Sequence, residues 1–445
     1  MQRDTTGKSS QGWLALDCES DLGVYNLATE TPTQNMEMME RIVAPSNVRE
    51  AYRRVIRNGG CPGVDGMSVE RLVEYLRAHW QQIRTDLLDG TYKPSPVKRH
   101  ELPKPGGGTR VLGIPTVLDR LIQQAVLQVL QPEWDRTFSE FSYGFRPGRS
   151  AHQAVDKARE HYMAGYHRVV ALDLEKFFDR VNHDKMMSLV RERIADRRVR
   201  RLIRRYLQAG MLSGDVYMPR SEGTPQGGPL SPLLANLLLD QLDQELEKRG
   251  HRFVRYADDV SIYVRSERAG RRVLQSISDF LSRKLKLRVN ESKSKVAKPR
   301  QCSILGFSIG KAGRAFVSDK SIRRLKDRIR QLTGRNRGRR IEQIIREVAE
   351  YLRGWRQYFN YALNKQMFRE LTAWIKRRLR CYMWKQWGRS GYRELRKRGV
   401  SRDLAWNTCK SHHGPWRLSR SPALAYALTT GHFVEMGLPL LHVNV

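Results

Sequence analysis

The chain has 445 residues, of which 40% are hydrophobic and 29% charged, with a formal net charge of +35. That length supports two or three domains, and so large an excess of one sign opposes compaction unless a polyanion neutralises it. The basic residues are interleaved with Trp and Tyr, which favours nucleic acid over an anionic membrane surface, and no apolar run approaches the ~18 residues of a membrane span.

Cys18, Cys61, Cys302, Cys381 and Cys409 form no C-x-x-C pair. Neither a zinc ribbon nor a disulfide framework is indicated, and a reducing cytoplasm suits them. Residues 1–35 hold five acids against two basic residues and no apolar h-region, which argues against a secretory signal or an Arg-rich presequence. The segment is polar, without periodicity, and is expected to be mobile.

From Met36 to Asn58 apolar residues recur at helical spacing, with Pro45-Ser46-Asn47 as a break and N-cap. A glycine-rich loop, Gly59 to Gly66, and an amphipathic helix pair over 68–90 follow. Residues 97–115 read as strand, Gly turn, strand, with Lys104 and Arg110 on opposite arms. A hairpin so charged can close over a triphosphate, although its three glycines also have a purely geometric reading. A helix over Thr116–Val129 packs behind it. Phe141 to Ser150 is a basic, aromatic loop leading to a helix capped by Ser150. Arg146 and Arg149 there are either a phosphate clamp beside stacking rings or solvated charges.

Val169 to Leu172 is a short apolar strand ending at Asp173, with Phe177, Phe178 and Asp179 beyond it. Residues on a strand face alternate ways, so one of the two Phe rings is expected in the core. Residues 184–212 read as basic helix. Glu222 to Pro232 is a rigid turn before the apolar helix Leu233–Leu246. Gly227 and Gly228 let backbone approach a nucleotide closely, and Gln226 can hydrogen-bond a sugar or base edge.

Phe253 to Val264 reads as a hairpin with Asp258 and Asp259 at its tip. Adjacent carboxylates repel, so the tip is either a solvated turn or a site for a divalent cation, and hard oxygen ligands favour Mg²⁺. If the Asp173 strand lies beside it, the three acids form one cluster. Two-metal phosphoryl transfer needs such a cluster, one ion activating a 3′ oxygen and the other holding the triphosphate. A helix over Arg268–Leu285, a strand and turn from Leu287 to Lys293, and an apolar strand Ile304–Phe307 follow. Lys293 and Lys295 are phosphate contacts or a solvated turn.

From Lys320 to Val445 there are 29 Lys+Arg and 8 Asp+Glu, a net of +21 from the whole chain's +35. Three helices are predicted, Ser321–Leu332, Ile341–Phe359 and Met367–Trp387, with apolar stripes as core and basic residues elsewhere. Lys376, Arg377, Arg378 and Arg380 are expected to form a cationic ridge gripping a phosphate backbone.

Tyr256-Ala257-Asp258-Asp259 with Asp173-x-x-x-x-Phe178 upstream resembles the palm of reverse transcriptases. Over roughly residues 36–440 the chain resembles the reverse transcriptase/maturase proteins encoded inside bacterial group II introns. That resemblance implies an α+β right-hand polymerase, with fingers and an antiparallel palm sheet over 36–315. A helical thumb/maturase domain over 316–398 and a C-terminal extension over 399–445, a candidate DNA-binding segment, complete it. It implies RNA-directed DNA synthesis with Asp173, Asp258 and Asp259 as catalytic acids, and two Mg²⁺ ions held by these and Leu174. It also implies triphosphate contacts at Lys104 and Arg110, nucleotide contacts at Gln226 and Gly227, and Phe178 as the aromatic that collides with a ribose 2′ hydroxyl.

Arg353-Gly354-Trp355-Arg356-Gln357-Tyr358-Phe359 resembles the maturase-specific signature, so Arg353 and Arg356 are expected on RNA. The implied partners are intron RNA, an RNA template with a DNA primer, deoxynucleotides and target DNA, in a cytoplasmic setting associated with nucleoid or ribonucleoprotein. Paired cysteines of an H-N-H endonuclease do not follow, so second-strand cutting is not expected. A splicing factor with an idle polymerase site is the rival reading from another class. Retron, diversity-generating and antiphage reverse transcriptases share the palm but not the basic maturase-like stretch.

Overall fold

The computed structural model describes residues 38–103, 108–214, 216–362 and 364–441. The predictions for residues 1–35 lie outside these. The chain divides into two compact units, one reaching Ala154 and resuming over Val170–Val296, the other made of Val155–Val169 and the residues from Ala297 onward.

The first unit begins with α1 (Met38–Val43) and α2 (Pro45–Asn58). Pro45 separates them because it lacks the N–H that would continue α1, yet it suits the first turn of α2. The stretch 68–90 forms one helix, α3 (Leu72–Leu88), rather than a pair, with Leu72, Leu76, Ile83 and Leu87 buried along one face. β1 (Val97–Pro103) and β2 (Thr109–Ile114) form the predicted hairpin, registered from Lys98 opposite Ile114 to Pro103 opposite Thr109. α4 (Val117–Asp135) is capped by Thr116 and runs past Val129 through Pro132, because Leu130 and Trp134 still bury in the core.

Asp119 in the first turn of α4 is buried, and its carboxylate accepts from the hydroxyls of Thr116 (2.8 Å), Tyr92 (2.9 Å) and Tyr206 (3.3 Å) and from Ser95 N–H (3.1 Å). Burial pushes its pKa up while these donors pull it down. The bonds tie the chain entering β1 to α4. α5 (Ala151–Met163) leads to β3 (Arg168–Leu172). α6 (His183–Arg193) and α7 (Arg197–Gln208) are the predicted basic helices. The helical reading of 184–212 fails at its end, where β4 (Met211–Ser213) pairs parallel to β1 and antiparallel to β5 (Val216–Met218), giving the sheet order β2-β1-β4-β5.

α8 (Ser231–Lys248) is buried through its first half, with leucines 233, 234, 237, 238, 239, 242 and 246 in the core. Asn236, Asp240 and Asp243 are buried on the same helix. β6 (Arg252–Tyr256) and β7 (Asp259–Val264) form a hairpin, followed by α9 (Glu267–Phe280) and a single π turn over Leu281–Leu285. The second sheet has the order β6-β7-β3-β8, where β8 is Lys295–Ala297. No strand forms over Leu287 to Lys293. Lys286 adopts a left-handed backbone (φ 58°) and Asn290 O closes a turn on the amides of Lys293 and Ser294. A Leu174 to Val289 bridge and two flanking backbone bonds tie that segment to the Asp173 strand.

In the second unit, Ile304 to Gly306 is a turn rather than a strand, with Leu305 at φ 50° and Gly306 at φ 85°, and β9 (Phe307–Ile309) starts after it. β9 pairs antiparallel with β10 (Ala315–Val317). The three predicted helices follow as α10 (Asp319–Leu332), α11 (Ile341–Phe359) and α12 (Lys365–Trp387). Phe307 has no exposed surface, and its ring lies 5.1 Å from that of Phe359 and 5.5 Å from that of Tyr358. Leu395, Ala405, Leu424, Leu428 and Phe433 join this same core, so the C-terminal stretch packs as part of the unit. No helix among the described residues is long and apolar enough to cross a membrane.

Candidate active site

The β6–β7 hairpin closes on Tyr256 opposite Asp259, leaving Ala257 and Asp258 as its tip. Ala257 sits at φ 57°, a left-handed conformation that costs an L residue about 1–2 kcal/mol. The conformation is held from behind by Arg255, whose side chain has no exposed surface. Its guanidinium donates to both carboxylate oxygens of Asp243 (2.8 and 2.6 Å), to Asn236 Oδ1 (2.9 Å) and to the Ala257 carbonyl (3.0 Å). Asn236 in turn donates to Gly144 O at 2.9 Å. A Cβ on Gly144 would come within 2.2 Å of Ala257 N, so only glycine permits this approach. Tyr143 N–H donates to Arg255 O, and Arg255 N–H to Phe141 O, both at 2.9 Å.

β3 lies next to β7, which brings Asp173 toward Asp258. Burial pushes the Asp258 carboxyl above the usual carboxylate range, and the charge of Asp173 adds to the effect while Arg110 and Arg255 oppose it. Lys293 Nζ stands 3.6 Å from Asp173 Oδ2. Asp259 opens β7 on its exposed side. Leu174 is buried and offers oxygen only through its main chain. Among the described residues no three His, Cys, Asp or Glu side chains are gathered closely enough to cage a metal ion. What the tip presents is a pair of mutually repelling carboxylates with a lysine ammonium beside one of them, a hard-oxygen donor set that draws cations.

A cleft of about 530 Å³ opens among Arg110, Phe145, Phe178, Gln226 and Gly227. Arg110 Nε donates to Gln226 Oε1 at 2.8 Å, and Gly113 N–H to Gln226 O at 2.9 Å, which straps the 222–232 turn to β2. Gly227 (φ 138°) has room for no Cβ, since one would fall 2.6 Å from Gly113 O. Phe177 and Phe178 lie on a 3₁₀ turn, not on a strand. The alternation argument therefore fails, and both are largely buried while Phe178 lines the cleft. Lys104 lies outside the described residues.

The structure corrects the expected nucleic-acid contact at Arg146 and gives several of the other cations internal partners. Arg146 is 4% exposed and spent internally, paired with Asp135 at 2.7 Å and donating to the carbonyls of Ser139, Ser142 and Asp135. It braces its loop rather than reaching a phosphate. Arg149 remains exposed, 5.5 Å over the Tyr143 ring. The ridge on α12 is likewise occupied. Arg377 stacks 3.7 Å over Trp416, Arg378 donates to Thr333, Arg380 to Leu428 O and Lys376 to Thr430 Oγ1. Several of these partners are carbonyls at helix ends, which lack intrahelical donors. Arg353 on α11 stays exposed, and Arg356 is half-buried.

Sequence reasoning missed Arg255, Asn236 and Asp243, although Asn236, Asp240 and Asp243 lie among the core leucines of α8 and are a readable sign of a buried polar partner. It also passed over Phe145, which is 45% exposed at φ 60° and lines the cleft. Because removing one member of a buried ion pair strands the other, Asp243→Ala is expected to lower stability by about 3–5 kcal/mol. Urea denaturation of the full chain measures this, and a loss below about 1 kcal/mol would mean that Arg255 is satisfied without it.

Comparison with known proteins agrees with this geometry. Residues 102–309 match the reverse transcriptase (RNA-dependent DNA polymerase) family, and residues 322–400 match the group II intron, maturase-specific domain. Protein YkfC of Escherichia coli is 33% identical over 309 residues, spanning 60% of this chain and 81% of that protein. The group II intron-encoded protein LtrA of Lactococcus lactis is 36% identical over 211 residues, 46% of this chain and 34% of that one. A putative COX1/OXI3 intron 2 protein of Saccharomyces cerevisiae is 26% identical over 347 residues, 64% of this chain and 40% of that one. The chain thus spans most of the first relative but only about a third to two fifths of the other two. On these matches, the chain belongs to the reverse transcriptase family, in the branch that carries a group II intron maturase-specific domain.

Proposed function

We propose that the chain is an RNA-directed DNA polymerase that also binds group II intron RNA to assist its splicing. The observation that carries the first role is the placing of Asp173 and Asp258 at the ends of adjacent strands, with Asp258 close enough to Arg110 of the cleft to feel its charge. Asp173, Asp258 and Asp259, with the Leu174 main chain, would hold two Mg²⁺ ions. When bound, those ions supply activation of the primer 3′ hydroxyl and neutralisation of the triphosphate.

The side chains around them have separable tasks. Arg110, on the β2 arm of the β1–β2 hairpin, takes up phosphate charge, and Lys104, outside the described residues, is assigned the same role. Gln226, oriented by its bond from Arg110, faces the sugar or base edge, and Gly227 lets backbone approach it. The Phe178 ring at the cleft wall excludes a 2′ hydroxyl.

For the second role, Arg353 and Arg356 on α11 and the remaining exposed cations of a segment with net charge +21 supply a salt-dependent RNA surface. The same charge would serve target DNA in retrohoming and would favour association with nucleoid or ribonucleoprotein.

Two substitutions test the reading. Asp258→Ala should lower extension of oligo(dT) on poly(rA) by at least ~10³-fold while leaving affinity for intron RNA within about twofold, since the carboxylate acts on the reaction and not on the RNA surface. Equal loss of both would contradict its role. Phe178→Ala should raise incorporation of ribonucleotides relative to deoxynucleotides by roughly 10–100-fold in single-nucleotide extension, the range expected when a pocket wall is removed. An unchanged ratio would place the sugar elsewhere.

A further inference from the structure

At the Phe177–Asp179 turn lies a second cavity, of about 460 Å³, lined only by charged residues. Phe178 lines the cleft and Asp179 lines this cavity. Its walls carry Lys176, Arg180, Lys286 and Arg288 against Asp179 and Glu222, four cations to two carboxylates. Arg180 is drawn toward Glu175 at 3.1 Å. The side chains of Lys176, Lys286 and Arg288 have no hydrogen-bond or ion-pair partner among the described residues.

Two independent features mark the place. Lys176 (φ 47°) and Lys286 (φ 58°) both hold left-handed backbone, a conformation rare for residues with a Cβ and concentrated at functional sites. Close by, Arg220 feels the charge of Asp179, and its Nη1 is buried without a hydrogen-bond partner. The cavity is also joined to the acid strand. Asn290 N–H donates to Asp173 O at 2.8 Å and Glu175 N–H to Arg288 O at 2.9 Å, so the segment bearing Lys286 and Arg288 is stapled to the one bearing Asp173.

We propose that this cavity receives inorganic pyrophosphate, the leaving group of nucleotide transfer. The inference rests on the polymerase reading above. In that transfer the primer 3′ oxygen gives up its proton to solvent water and bonds to the α-phosphorus. The bond from that phosphorus to the bridging oxygen breaks, and pyrophosphate departs with the electron pair. Three uncommitted cations suit a compact, highly charged anion. A continuous nucleic-acid backbone fits less well, because Asp179 and Glu222 would face its successive phosphates.

The test is calorimetric titration of inorganic pyrophosphate into the full chain and into the double variant Lys286→Gln, Arg288→Gln, paired with pyrophosphate inhibition of primer extension. Both residues are exposed, so the fold should survive. Binding is expected to weaken at least ~10-fold and the inhibition constant to rise by the same factor, with KM for deoxynucleotide within about twofold. Unchanged pyrophosphate binding would overturn the proposal. So would an equal rise in deoxynucleotide KM, which would make the cavity part of the nucleotide cleft, or a loss confined to primer–template affinity, which would make it a backbone contact. If the parent chain extends no primer, the polymerase reading fails, while the calorimetric arm still decides the cavity.

Discussion

A guanidinium with no exposed surface stands directly behind the acidic turn, and the rest of the site depends on it. Arg255 carries a buried charge, so its desolvation has to be offset by neighbours, and it is held by Asp243, Asn236 and the Ala257 carbonyl. Buried pairs of this kind are often no more stabilising than well-packed apolar residues, so stability alone is a weak reason to keep one. Geometry is a better reason here. The pair fixes a left-handed alanine, and that alanine presents Asp258 at the end of a strand next to the one bearing Asp173. The same network reaches Gly144 through Asn236, so the loop from Phe141 to Ser150 and the acidic turn are positioned together.

Much of the chain's positive charge is used in this internal way. On α7, Arg198 grips Glu40 and Asp196, Arg205 donates to the carbonyls of Gly90 and Tyr92, and Arg204 pairs with Asp184. On α12, Arg378 donates to the Thr333 carbonyl at the end of α10, Arg377 to Trp416 O, Arg380 to Leu428 O and Lys376 to Thr430 Oγ1. Arginine suits such duty because its planar fork serves several acceptors at once. A net charge of +35 therefore signals a polyanionic partner in the sum, but it does not say which arginines face that partner. Exposed residues such as Arg149 and Arg353 remain available, whereas Arg146 does not.

This distinction separates what the sequence revealed from what it hid. The hairpin at 253–264, the Asp173 strand, the β1–β2 hairpin and the three long helices of the second unit were legible, because period and turn residues act locally. Helix α3 was split wrongly, and of the strand and turn expected over 287–293 only the turn forms, because propensity does not record a left-handed Lys286. Phe178 was singled out by the resemblance, and the alternation argument about the two Phe rings fails because a 3₁₀ turn and a strand end look alike over three residues. Arg255 was invisible as a support because its partners lie 12 and 19 residues away on a helix whose leucines dominate the pattern. Burial of a charge is decided by tertiary packing, which no short window of sequence contains.

The central claim is that Asp173 and Asp258 converge to hold divalent cations where a primer end meets a nucleotide. Diffraction at the manganese edge, from crystals grown with primer–template, a non-hydrolysable deoxynucleotide and Mn²⁺, tests it most directly. The account predicts anomalous density bounded by both carboxylates at ordinary metal–oxygen separations of about 2.0–2.3 Å. Manganese bound only elsewhere, with the two carboxylates remaining apart in that complex, would contradict it.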